Sequence, residues 1–99
     1  MTDHPQSKSR RVHAIITGQV QGVNFRAYTR REAVRLGLRG WVRNQADASV
    51  ETVAEGQSEA LTQFVEFLHF GSPSASVSAV DVTWQDATGE FADFQVRYF

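Results

Sequence analysis

The sequence predicts an α+β fold with two helices on one face of a mainly antiparallel sheet. Two observations predict it. First, 99 residues at 41% hydrophobic and 21% charged suffice for one packed domain and leave no room for a second core. Second, the apolar period switches repeatedly between two residues and about 3.6, in the order β-α-β-β-α-β with one further short strand at the end.

The elements follow in order. Residues 1–10, MTDHPQSKSR, are polar and lack an apolar core, so they read as a flexible tail and not as a secretory signal. A single domain is expected over 11–99. In 11–17, Val12, Ala14 and Ile16 alternate with Arg11, His13 and Ile15, a first strand. A loop with two glycines leads to 25–36, where Phe25, Tyr28, Thr29, Ala33 and Leu36 fall on one helical face. Gly37 stands where a helix-ending glycine belongs, with Arg35 in the last turn. Strands are expected at 38–44 and 49–55 around the turn Gln45-Ala46-Asp47-Ala48, with Gly56 ending the hairpin. Ser58 is the expected N-cap of a second helix, with Glu59 in its first turn and Leu61, Phe64, Val65 and Leu68 as its apolar stripe. Gly71-Ser72-Pro73-Ser74 stops it. Strands at 77–84 and 94–98 flank a polar turn containing Gly89. This succession is the split β-α-β, or ferredoxin-like, plan.

Composition narrows the chemistry. There is no cysteine, so disulfides, a thiolate nucleophile and Cys-ligated metal are out. His4, His13 and His69 are scattered without metal-ligand spacing, and no metal site is expected. No apolar stretch approaches the ~20 residues of a membrane span. Phe64, Phe67 and Phe70 read as core and rim. Trp41 and Trp84 read as sheet packing, with Trp41 alternatively a pocket wall. Arg30, Arg31 and Arg35 read as a solvated helix face.

The net charge of −1 conceals an asymmetry. Segment 8–43 holds nine of the ten basic residues and a single acid, Glu32. The remainder carries Arg97 against ten acids. Such a split points to an anionic partner for the basic part, a nucleic acid or a small phosphate compound.

Gly18-Gln-Val-Gln-Gly22-Val-Asn-Phe-Arg26 leads from a strand to a helix N-terminus and contains no proline. Amides there lack helical partners, the helix dipole adds partial positive charge, and Arg26 offers a planar fork. Together they would make a phosphate cradle with one fixed cation. Neither a Walker lysine nor GxGxxG is present, so a nucleotide triphosphate is not the expected ligand. The same spacing is met by glycines that only turn the chain beside a solvated Arg26, and spacing alone does not separate the two readings. Asn44, at the end of the second predicted strand, can orient a water through its carboxamide. It fits a turn-forming asparagine as well, and local sequence favours the turn.

Residues 18–26, GQVQGVNFR, resemble the acylphosphatase signature G-x-V-Q-G-V-x-F-R. Residues 40–44, GWVRN, are similar to that family's second signature, and GSP at 71–73 and VRY at 96–98 match it too, so the resemblance covers about 11–99. It implies a ferredoxin-like sheet with the first loop as active site and metal-independent hydrolysis of the carboxyl–phosphate bond. By position it implies that Arg26 and the amides of Gln21, Gly22, Val23, Asn24 and Phe25 bind the phosphoryl group and that Asn44 places the attacking water. It implies an acyl phosphate as substrate, inorganic phosphate as product and inhibitor, and no cofactor. A cytoplasmic monomer with neither a nucleic-acid nor a membrane partner is expected. Two features depart from the pattern: Gln19 stands where the family often has a basic residue, and Phe99 extends past Arg97-Tyr98. A rival of the same β-α-β-β-α-β plan, an RNA-binding module, would carry aromatics on its third strand, whereas 50–54 reads VETVA. A catalytically silent phosphate-binding domain would not need both Arg26 and Asn44.

Overall fold

The alternation of β1 (Ser9–Gln19) buries Val12, Ala14 and Ile16 on one side. The same parity buries Val50, Thr52 and Ala54 on β3 (Val50–Gln57) and Gly40 and Val42 on β2 (Arg39–Asn44). The computed structural model describes residues 9–98. Of the expected tail, 1–8 lie outside the described residues, while Ser9 and Arg10 already pair in β1.

The remaining elements are α1 (Phe25–Arg35), α2 (Ser58–Leu68), β4 (Ser76–Asp86) and β5 (Phe94–Arg97). The strands form one sheet in the order β4-β1-β3-β2-β5. Every neighbouring pair is antiparallel except β2–β5, which is parallel. Both helices lie on the face that carries the apolar parity. Phe25, Thr29 and Ala33 of α1 and Leu61, Phe64 and Leu68 of α2 are buried there. Phe64 meets the ring of Phe94 edge-on at 6.0 Å, tying α2 to the edge strand β5. Phe67 packs against this core and Phe70 is exposed.

Local chemistry sets the boundaries. Helix α1 ends as the sequence predicts: Leu38 N–H donates to Ala33 O (2.8 Å) and Gly37 N–H to Val34 O (3.0 Å), the paired bonds of a Schellman motif. Helix α2 begins differently. Gln57, not Ser58, holds the cap position, without a side-chain cap bond, and Ser58 is the first helical residue. The reason is that β3 continues through Gly56, which does not end the hairpin. Its backbone lies against Leu38, where a Cβ would come 2.5 Å from the Leu38 side chain. Gly56 and Gln57 still pair with Arg10 and Ser9 of β1, so the strand runs straight into the helix and Ser58 enters the first turn.

The charge asymmetry is cancelled in part by pairing across the sheet, apart from the Arg35–Glu32 pair, which lies inside the basic segment. Arg11 meets Glu55 and Glu90, Arg43 meets Glu51, and Arg35 meets Glu32. The basic β1 and β2 thus face acids of β3 and the segment after β4, because the ladders bring oppositely charged halves of the chain together. Arg30 and Arg31 are exposed, as expected of a solvated face, though Arg30 Nε also donates to Phe94 O at 3.1 Å. Trp41 is not among the residues lining the pocket that holds Arg26 and Asn44. It lies on the open sheet face with the Arg43 and Arg97 guanidinia 5.2 and 5.0 Å from its ring centre. Trp84 takes the opposite parity near the sheet edge, half-exposed, with Arg10 over its ring.

Candidate active site

After β1 the chain buries Val20 and turns through 21–24 into α1. Gly18 proves to be part of β1 and not of the loop. It sits at a bulge where a Cβ would lie 2.2 Å from Ser76 O, so only glycine lets β4 stay paired. The loop's own glycine, Gly22, has φ +75°, and open space surrounds its missing Cβ; there the backbone angle is what calls for glycine. Asn24, in the cap position of α1, is also left-handed (φ 63°, ψ 22°) and makes no side-chain cap bond. Its carbonyl accepts Tyr28 N–H at 3.1 Å, the first bond of the helix. The amides of Phe25, Arg26 and Ala27 therefore have no partner within the helix, and they stand at its positive end. Left-handed residues in such a loop turn successive N–H groups to one side, the geometry of a backbone anion nest. The Phe25 ring anchors the helix start in the core. It lies against Gly71, where a Cβ would be 2.0 Å from the ring, which accounts for the glycine of the 71–73 turn.

Arg26 is held by the chain end. Its Nη1 donates to Arg97 O at 3.3 Å, and its guanidinium lies 4.8 Å from the ring centre of the exposed Tyr98. The parallel pairing of β5 with β2 brings these groups there. Asn44, last residue of β2, shares the inward parity of Gly40 and Val42. Its Oδ1 is buried, and no hydrogen-bond donor reaches it among the described residues. Gly22, Asn24, Phe25, Arg26 and Asn44 line one pocket of about 300 Å³, with Tyr98 at its rim. Two of the expected residues are not among those lining it: Val23 packs against the core, and the Gln21 side chain turns toward the β2–β3 turn.

The structure thus brings the two sequence segments to one pocket, and Asn44 Oδ1 takes no part in the bonds of the turn. The turn is built by its neighbours instead. Gln45 N–H donates to Ser49 O (2.8 Å), and Ser49 N–H and Oγ both donate to Asp47 Oδ1. Those bonds from Ser49 hold the Asp47 carboxyl below its ordinary range. Two contributors were not read from the residues themselves: the Gln21 side chain, and the Arg97 carbonyl and Tyr98 ring that flank Arg26. The only sequence signal for the second was the terminal VRY. Gln19, the position that departs from the family pattern, is exposed at the end of β1. Phe99 lies outside the described residues.

Next to the site, on the open sheet face, Glu51 accepts from His13 Nε2 (2.6 Å), Arg43 Nε (2.7 Å) and Gln45 Nε2 (3.2 Å). Burial pushes its carboxyl up, but the His13 and Arg43 partners outweigh that and leave it below the usual range. Among the described residues no three His, Asp or Glu side chains group as a metal site.

The arrangement is that of a small α+β domain with a ferredoxin-like sheet, whose strand-to-helix loop, Arg26 and Asn44 line one pocket. Residues 12–96 match the family model described as acylphosphatase, and the chain belongs to that family. It is 52% identical over 88 residues to an acylphosphatase of Salinibacter ruber, covering 89% of this chain and 93% of the relative. An acylphosphatase of Pelotomaculum thermopropionicum is 47% identical, covering 89% and 96%. The crystal structure of acylphosphatase from Bacillus subtilis superposes with a TM-score of 0.87 at 38% identity, over 90% of this chain and 99% of that one.

Proposed function

We propose that the chain hydrolyses acyl phosphates to a carboxylate and inorganic phosphate, with Arg26 and Asn44 as its catalytic residues. The observation that carries this is the buried Asn44 Oδ1, without a donor among the described residues, in the same pocket as Arg26 and the loop amides. A buried acceptor left open costs free energy unless it serves a ligand.

In this reading the phosphoryl oxygens sit against the amides from Gln21 to Phe25 and the Arg26 fork. Asn44 Oδ1 accepts a hydrogen of one water and thereby aims the water's lone pair at phosphorus. A water O–P bond forms as the P–O bond to the acyl group breaks in line. The departing electron pair leaves on the carboxylate, and the water's proton passes to a phosphoryl oxygen. A carboxylate needs little acid assistance, so positioning and charge stabilisation carry the rate. Every step runs through the nest, Arg26 and Asn44, and none calls on a metal ion. The substrate is a small diffusible acyl phosphate, the enzyme a cytoplasmic monomer. Nucleic acid is not its partner, since the central strand β3 presents the paired carboxylates Glu51 and Glu55 where stacking aromatics would stand.

The test is hydrolysis of benzoyl phosphate, with a phosphate monoester as control and Asn44→Ala beside the wild type. Turnover of the acyl phosphate alone, lost in the variant, is expected. Wild-type turnover retained in full by Asn44→Ala removes the water-positioning role, and phosphate binding without any turnover makes the domain a silent binder.

A further inference from the structure

We infer that Gln21 is a positioning residue that sets the distance between the phosphate loop and Asn44 through its side-chain amide. The inference rests on the hydrolytic reading above. Gln21 Nε2 donates to Gln45 O and to Ser49 O, each at 2.8 Å. Both carbonyls already accept a backbone N–H, from Ala48 at 3.2 Å and from Gln45 at 2.8 Å respectively, so each takes the Gln21 hydrogen as a second bond. Two carbonyl oxygens converging on one nitrogen call for a group with two hydrogens. A primary amide at this reach supplies both, and a carboxylate would meet them with its own oxygens.

The turn so gripped is rigid in itself. Ser49 Oγ stands 2.7 Å from Gln45 Oε1 and 2.6 Å from Asp47 Oδ1, with one hydrogen to share between them, and Gln45 Nε2 reaches Glu51. What remains to be set is where this unit stands relative to the loop, and Asn44 immediately precedes it. The β1–β3 ladder ends at Ile16↔Val50, before either segment begins, so it leaves that last relation to other contacts. Gln21 supplies one directly, and its own backbone N–H belongs to the proposed cradle. One residue therefore runs through its main chain into the loop that leads to Gly22 and Arg26, and reaches the Asn44 side through its amide. A water held for in-line attack tolerates little error, and a displacement of about 1 Å can cost on the order of 10² in rate.

The experiment compares wild type with Gln21→Met, which keeps length and loses both bonds, and with Gln21→Glu, which opposes the two carbonyls. With benzoyl phosphate, kcat should fall about tenfold or more in Gln21→Met and further in Gln21→Glu. KM and inhibition by inorganic phosphate should stay within about twofold, since loop amides and Arg26 are retained. Gln21→Met added to Asn44→Ala should cost nothing more than Asn44→Ala alone. An unchanged kcat in Gln21→Met, or independent losses that multiply in the double variant, overturns the inference. A second readout needs no turnover: hydrogen exchange at the Gln45 and Ala48 amides should speed up about fivefold or more in Gln21→Met. Unchanged exchange there overturns the brace. Should wild type fail to hydrolyse benzoyl phosphate, the hydrolytic reading fails, and exchange alone then decides whether the brace exists.

Discussion

The two ends of β3 carry pockets of similar size and opposite chemistry. Near Val50 lies the 300 Å³ pocket with the open Asn44 oxygen. Near Glu55 lies one of about 270 Å³, bordered by Leu36, Gly37, Gly56 and Phe91. There the buried Glu55 carboxylate accepts from Arg11 Nη1, Thr88 N–H, Thr88 Oγ1 and Gly89 N–H, at 2.9 to 3.1 Å. At this end the carboxylate is satisfied by holding the segment after β4, and the polar atom left without a partner is a donor, Arg11 Nε. The other has acceptor and donors in reserve. Concavity alone would not separate them, and the state of their polar groups does.

Substitutions at the two ends should therefore act on different observables. The largest effect is expected for Arg26→Gln, which should lose both turnover and inhibition by phosphate; unchanged phosphate binding by calorimetry would refute the cradle. Asn44→Ala should lower kcat by about 10²–10³ while phosphate still binds and thermal unfolding stays cooperative. Glu55→Gln should do the converse, costing about 1–3 kcal/mol in denaturant unfolding with kcat nearly unchanged. If it lowered kcat as much as Asn44→Ala, the division between the ends would collapse.

Acid should expose the same division. Burial raises the Glu55 carboxyl, yet the Thr88 and Gly89 amides, the Thr88 hydroxyl and Arg11 hold it below its ordinary range, and Glu51 is lowered by His13 and Arg43. A carboxyl lowered in the fold stabilises it above the unfolded value of about 4.3, and that contribution is lost as pH falls through the folded value. Unfolding free energy should thus decline below about pH 4.3, less steeply in Glu55→Gln, as measured by urea titration at pH 3 to 6. The smallest expected effect is from chelator: EDTA should leave turnover unchanged, and loss restored by a divalent ion would contradict the proposed route.

Much of this was legible in the residues. The switch from alternation in 11–17 to helical spacing after Phe25 marks β1 and α1 because each period is a local property of backbone geometry. The Gly37 stop is equally local. Ser58 misled for the opposite reason: a serine before a helical stripe is a good cap, but pairing of Gly56 and Gln57 with Arg10 and Ser9 carried β3 on into α2. The loop 21–26 and Asn44 could be marked as candidates, yet their meeting depends on β2–β3 register and on the loop's return over it.

The sequence by itself determined the element order, the apolar parity of each strand and the residue types available to a phosphate. These follow from neighbours in the chain, whose spacing local geometry dictates. Tertiary structure decided which charges cancel, that Trp41 faces outward, and that the chain end clamps Arg26 through Arg97 O and Tyr98. It also decided that Gln21 grips the Asn44 turn from 24 and 28 residues away. Such contacts arise only once the sheet order is set, because a hydrogen bond between distant residues has no signature in the spacing of either.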